Sequence, residues 1–145
     1  MADYLQIEWH PDDDWNDVIH VRMVSSGFSA TGGPYYVHRV ALAEFGEDLD
    51  RYPIEPATVP ELSISYGRLV GTPPESVFDL PPVLRIRIEA VDRTGHLVAA
   101  ALITDSESDQ RAELRMETGY GALQRFREQL RKAARPPMDG VARLE

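Results

Sequence analysis

The sequence contains no cysteine, which excludes a disulfide-linked scaffold and zinc sites built on thiolate ligands. Lysine is nearly absent as well, since every basic residue except Lys132 is an arginine. Together with many alanine, proline and aspartate residues, this bias indicates a GC-rich coding genome, and we expect a bacterial source. The lack of cysteine also fits a reducing compartment.

Long hydrophobic segments are missing too. The longest apolar run, LVAAALI at residues 97–103, is far shorter than the roughly 20 residues that a membrane-spanning helix needs. The amino-terminal MADYLQIEW has no basic region followed by an apolar run, so we expect no secretory signal. We therefore predict a cytoplasmic protein that makes no membrane contact.

Positive charge is scarce in the first part of the chain. The net charge is −9, and residues 1–61 alone hold 12 acidic and 3 basic residues. An acidic surface repels nucleic acids and anionic lipids but attracts basic proteins. Later arginines, Arg85, Arg87, Arg111 and Arg115, alternate with glutamates, which is typical of cross-strand ion pairs on a solvated sheet face. We predict a protein partner and no nucleic acid.

Catalytic signatures are also missing. The glycines form neither a dinucleotide-binding nor a Walker pattern, and no HExxH or GxSxG sequence occurs. The four histidines, His10, His20, His38 and His96, show no spacing that would pair a general base with an orienting group. We therefore predict that the protein is not an enzyme and that it requires no cofactor.

The most unusual stretch is EWHPDDDWNDVIH at residues 8–20, in which two histidines bracket four aspartates. As a calcium loop it begins correctly at Asp12, but Asp17 stands where the turn requires glycine. Met23 then stands where a bidentate glutamate is needed. The pattern favours a polar turn between two strands, and it predicts no metal site.

A tryptophan within an acidic loop is costly to leave in water, so Trp15 either folds back onto the core or contacts a partner. The second possibility makes this loop the best candidate for an interaction surface. The acidic end of the first predicted helix is the other candidate. We predict that the partner-binding residues are Asp12, Asp13, Asp14, Trp15, Asp17, Glu47 and Asp48.

Hydrophobic periodicity predicts an α+β fold. Alternating apolar residues indicate strands at residues 4–9 and 17–26, and a three-stranded antiparallel meander over 83–117 that turns at DRTGH. Helical spacing of apolar residues predicts two helices, at 40–52 and after Thr118. We expect core positions at Leu42, Phe45, Leu49, Ile64, Ile86, Ile88, Leu114, Phe126 and Leu130.

These elements predict one twisted antiparallel sheet of about six or seven strands, with the two helices packed on one face. Residues 1–135 form a single domain in this prediction. The proline-rich segment 67–82 is its longest loop, and residues 136–145 are a flexible tail.

The order of these features resembles that of WapI-type immunity proteins and their uncharacterised bacterial relatives. The resemblance spans about residues 5–133 and rests on four motifs. These motifs are Gly27, Phe28 and Ser29 in a turn, Phe45 and Leu49 in a helix, Gly95 and His96 in a hairpin, and Leu123 and Phe126 in the last helix. The chain departs from the family at VHRVAL, which lacks an acidic helix cap, and at 67–82, which looks like an insertion.

The resemblance implies a small α+β cytoplasmic protein that neutralises a cognate toxin by binding it. Our first hypothesis is therefore a non-catalytic immunity protein whose acidic surface binds a basic toxin. The alternatives are a ligand- or metal-binding domain with a pocket between the sheet and loop 67–82, and a structural or assembly module. The sequence favours no oligomeric state.

Overall fold

Antiparallel strand pairs dominate a computed structural model of the chain that describes residues 2–65, 81–105, 108–134 and 138–145. Two α-helices, two short 3-10 helices (Pro56–Thr58 and Arg131–Ala134) and eight strands occur in this part of the chain. The helices are α1 (Arg39–Asp48) and α2 (Tyr120–Leu130). The strands are β1 (Tyr4–Pro11), β2 (Asn16–Ser25), β3 (Phe28–His38), β4 (Glu61–Ile64), β5 (Leu84–Ala90), β6 (His96–Asp105), β7 (Gln110–Gly119) and β8 (Gly140–Leu144).

The strands form two four-stranded antiparallel sheets. Sheet 1 has the order β3-β2-β1-β8, and sheet 2 has the order β4-β5-β6-β7. The predicted α+β class is confirmed, and the predicted meander corresponds to β5, β6 and β7. The strands are divided between two sheets, however, where the sequence predicted one sheet of six or seven strands.

The two sheets and both helices share one hydrophobic core. Alternate residues of each strand point inward, as in β1, where Leu5, Ile7 and Trp9 are buried. The predicted helical stripes are confirmed: the buried residues of the two helices include Leu42, Phe45, Leu123, Phe126 and Leu130. Every predicted core residue is buried except Leu114, which is partly buried and packs against the core. Neither helix is long and apolar enough to cross a membrane.

Specific contacts join the two sheets. The Tyr35 hydroxyl on β3 donates to the carbonyl oxygen of Thr104 on β6 (2.6 Å) and accepts from the Thr104 amide (3.1 Å). Beside this bridge, a Cβ added to Gly32 would lie 2.5 Å from the Ile103 side chain. A larger residue than glycine would therefore push β3 away from β6.

The predicted flexible tail is wrong for residues 140–144, which form β8. This strand pairs with β1 from Leu5↔Leu144 to Trp9↔Gly140, and both Ala142 and Leu144 are buried. A Cβ on Gly140 would lie 2.2 Å from the Trp9 ring, so the indole packs directly over the glycine. The apolar residues of this segment, at 141, 142 and 144, do not alternate strictly with polar ones, so the strand is not indicated until its partner is known.

Candidate protein-binding site

Residues 12–15, here called the acidic loop, connect β1 to β2 and are held in one conformation by their own hydrogen bonds. The Asp13 Oδ1 atom accepts from the amides of Trp15 (2.8 Å) and Asn16 (2.7 Å). The amides of Asp12 and Asp13 both donate to the Asn16 carbonyl oxygen (3.0 and 3.3 Å). The amides of Trp15 and Asn16, that of Trp15 foremost, lower the pKa of the Asp13 carboxyl below its ordinary value because they stabilise its ionised form.

A single arginine ties the acidic loop to the body of the protein. Arg39, the first residue of α1, donates through Nη1 to the carbonyl oxygen of Asp14 (3.2 Å) and through Nη2 to that of Asp13 (3.0 Å). Its Nε and Nη2 atoms also donate to Asp17 Oδ1 (3.1 and 3.0 Å), and its amide donates to the Trp15 carbonyl oxygen (2.8 Å). One side chain therefore fixes the loop to the start of a helix and to a strand.

Sequence reasoning missed Arg39, although the sequence contained a signal. The positive end of a helix dipole disfavours a cation in the first helical turn, so an arginine at this position needs a compensating partner. Asp17 is that partner, and it lies 22 residues earlier in the chain. The separation hides the pair until the register of the hairpin is known.

The prediction that Asp17 belongs to the binding surface is wrong, because its side chain points inward from β2 and only 1% of the residue is exposed. Its Oδ1 atom accepts both bonds from Arg39, and its Oδ2 atom has no hydrogen-bond partner among the described residues. A carboxylate buried in this way is stabilised by its arginine and cannot reach a partner protein.

Trp15 points outward from the acidic loop, with 68% of its surface exposed. Asp12, Asp13 and Asp14 are exposed beside it. Two further exposed apolar residues lie on adjoining elements. Tyr36 lies on β3, which pairs with β2, and Val40 follows Arg39 in α1. The loop thus exposes an aromatic side chain together with the three neighbouring carboxylates of Asp12, Asp13 and Asp14.

Glu47 is exposed and Asp48 is half-buried, and both lie at the other end of α1, about 12 Å along the helix axis from Arg39. Glu47 pairs with Arg127 (3.6 Å) and Arg131 (3.4 Å) on the last helical segment. Asp48 pairs with Arg51 (3.3 Å). The structure therefore does not bring these two residues together with the acidic loop.

The histidines that bracket the acidic stretch lie on the outer face of sheet 1. The rings of His10 and His20 have centroids 6.2 Å apart, and His10 Nδ1 lies 3.2 Å from Asp139. Within the described ranges, no three histidine, aspartate or glutamate side chains are grouped closely enough to hold a metal ion. The alternative ligand pocket beside loop 67–82 lies largely outside the described residues, since 66–80 are not among them.

Comparisons with known proteins give no relative from which a function could be transferred. No protein-family model matches the chain, no curated protein matches it, and no solved structure matches it.

Proposed function

We propose that the chain is a non-catalytic protein-binding module of the immunity type, which binds a basic protein toxin through the acidic loop. The observation that carries the proposal is the exposure of Trp15 in a loop that the rest of the protein holds fixed. The acidic first part of the chain and the resemblance to WapI-type immunity proteins support it further.

Fixing the acidic loop in advance favours binding because the entropy cost of ordering a flexible loop is already met on folding. Tryptophan is enriched among the residues that dominate the free energy of protein association, especially where it enters a pocket on the partner. The backbone of Trp15 is fixed by Asp13 and Arg39, and its ring is exposed, so that a partner can reach it.

The carboxylates around Trp15 give this surface its expected selectivity. Asp12, Asp13 and Asp14 are exposed, whereas the nearby Arg39 is occupied by Asp17 and by loop carbonyl groups. Carboxylates at the rim of an interface accelerate association with a basic partner, and this effect weakens as salt is added. We therefore expect a partner that has an apolar pocket bordered by arginine or lysine.

The proposal is tested by affinity capture from the organism that encodes the chain, followed by titration of the purified partner. Trp15→Ala removes the exposed ring, and Phe28→Ala is the matched control. Phe28 is 70% exposed but lies at the start of β3, beside the opposite end of β2. We expect Trp15→Ala to weaken binding about 30-fold or more and Phe28→Ala to leave it nearly unchanged.

A growth assay tests the immunity part of the proposal. Expression of the captured partner alone should arrest growth of a bacterial host, and co-expression of this chain should restore it. Co-expression of the Trp15→Ala variant should restore growth poorly. Equal binding by the wild type and Trp15→Ala contradicts the loop as the site, and a partner that is not toxic contradicts the immunity assignment.

A further inference from the structure

The outer face of sheet 2 carries a trough of about 300 Å³ that the binding function above does not use. In the cross-strand register, Ala100 on β6 lies between Arg87 on β5 and Arg115 on β7. The outer strands are about 10 Å apart, and only a methyl group stands between the two arginines. The small side chain at position 100 therefore opens a gap between two cations.

The arginines of the trough are incompletely paired. Glu89 is shared between Arg87 (3.6 Å) and Arg115 (3.5 Å). Arg85 has no carboxylate within ion-pair distance among the described residues. The fifth charged residue of the lining, Glu113, pairs with Arg111 (3.2 Å), which lies outside the trough. Three cations therefore face one carboxylate that is not already paired elsewhere.

One donor in the trough makes an ion pair but no hydrogen bond. The Nε atom of Arg87 is buried, the Glu89 Oε1 atom lies 3.6 Å from it, beyond hydrogen-bond distance, and no other described residue accepts from it. A buried donor without an acceptor costs free energy, and in native proteins it often marks the place of an absent ligand or water. The acceptor that would satisfy Arg87 Nε must approach from the trough, since the opposite side of β5 faces the core.

We propose that this trough binds the phosphate group of a small phosphorylated molecule. A guanidinium presents N–H donors in a planar fork that matches phosphate oxygens. A planar carboxylate can satisfy two such forks, whereas a tetrahedral phosphate offers a third oxygen for Arg85. Leu102 also lines the trough and provides apolar surface for the carbon atoms of the ligand.

Replacing Glu89 tests the proposal, because loss of this side chain's charge should strengthen phosphate binding. This carboxylate competes with phosphate for Arg87 and Arg115, so phosphate must displace it or bind beside it. Replacing it with Gln removes the negative charge and releases both arginines. If the arginines serve only to pair with Glu89, the same replacement creates unbalanced cations but no specific site.

The experiment is a titration of the full chain with inorganic phosphate at pH 8. It is followed by calorimetry and by the side-chain Nε–Hε NMR signals of arginine, at a constant ionic strength of about 0.15 M. We expect saturable binding that shifts the signals of Arg85, Arg87 and Arg115. Arg85→Gln should weaken it about tenfold, because this arginine makes no ion pair with a described carboxylate and is free to bind phosphate. Glu89→Gln should strengthen it about threefold or more.

Arg93→Gln is the matched control, since Arg93 is an exposed arginine in the turn at the end of the same hairpin. It should leave phosphate binding unchanged. Equal weakening by Arg85→Gln and Arg93→Gln would show a nonspecific response to net charge and would overturn the proposal. The absence of saturable shifts, or weaker binding in Glu89→Gln, would overturn it as well. None of these results bears on the acidic loop, which connects two strands of sheet 1.

Discussion

Two hairpin turns of this protein have the same local hydrogen-bond pattern but differ in their contacts with the rest of the chain. In the acidic loop, Asp13 accepts hydrogen bonds from the amides two and three residues later, those of Trp15 and Asn16. In the turn between β5 and β6, Asp92 accepts from the amides of Thr94 (2.8 Å) and His96 (3.4 Å). Both turns therefore depend on an aspartate whose carboxylate satisfies nearby backbone donors.

The difference lies in the long-range contacts. Arg39 ties the acidic loop to a helix and to a buried carboxylate, whereas the contacts of Asp92 are with residues of its own turn. The acidic loop also exposes a tryptophan, whereas the second turn exposes the smaller Val91 together with Arg93 and His96. The comparison teaches that an aspartate alone can shape a turn, whereas a distant partner such as Arg39 also fixes the turn to the rest of the protein.

The largest expected effect comes from breaking the long-range contact. Arg39→Met should lower the free energy of unfolding by about 3 kcal/mol, because it leaves Asp17 as a buried charge without a partner. Urea denaturation measures this change. Arg93→Met in the other turn is the control, and it should have little effect. A loss below about 1 kcal/mol for Arg39→Met would show that the clamp is not needed for stability.

A smaller effect on binding is expected when the local contacts of the acidic loop are removed. Asp13→Ala deletes the acceptor of the Trp15 and Asn16 amides, so the loop should sample more conformations and bind its partner about tenfold more weakly. Asp92→Ala makes the same change in the other turn and should leave binding unchanged. Titration of the captured partner compares the two variants, and equal affinities would contradict the importance of loop rigidity.

The smallest expected effect is on pH dependence, and it belongs to the second turn alone. The hydrogen bond and the charge of Asp92 raise the pKa of His96 above its ordinary value of 6.5, and His96 in turn lowers the pKa of Asp92. A raised histidine pKa stabilises the turn below pH 6.5 and loses this effect as pH rises through the folded value. A lowered aspartate pKa stabilises it above pH 3.8 and loses the effect at more acidic pH.

The pair should therefore stabilise the second turn most between about pH 4 and pH 6.5. NMR titration of the His96 ring should give a pKa above the ordinary value, and Asp92→Asn should bring it back. Asp13→Asn, the equivalent change in the acidic loop, should leave it unchanged. An unchanged His96 pKa in Asp92→Asn would show that the pair does not form in solution.

The sequence predicted what depends on neighbouring residues. The periods of 84–90 and 97–105 identified two strands, and DRTGH identified the turn between them. The helical spacing of Leu123, Phe126 and Leu130 identified a buried face. These signals are local because a strand or a helix buries one side of its own segment.

Partners that are distant in the sequence were beyond prediction. The composition of sheet 1 depends on β1 pairing with β8, more than 130 residues later, and its contact with sheet 2 depends on Tyr35 bridging to Thr104. The correct placement of Asp17 depends on Arg39 in the same way. In the candidate site, a polar turn between two strands was predicted, whereas the exposure of Trp15 was left open and the clamp that fixes the loop was not predicted.

The two tryptophans give the chain separate optical reporters. Trp9 is 1% exposed beneath β8, so its fluorescence should lie at shorter wavelength and should change only when the core opens. Trp15 is exposed to water, so its emission should lie at longer wavelength and respond to anything that covers the acidic loop. The Trp15→Phe variant would follow folding through Trp9 alone, and the wild-type chain would follow partner binding without any attached dye.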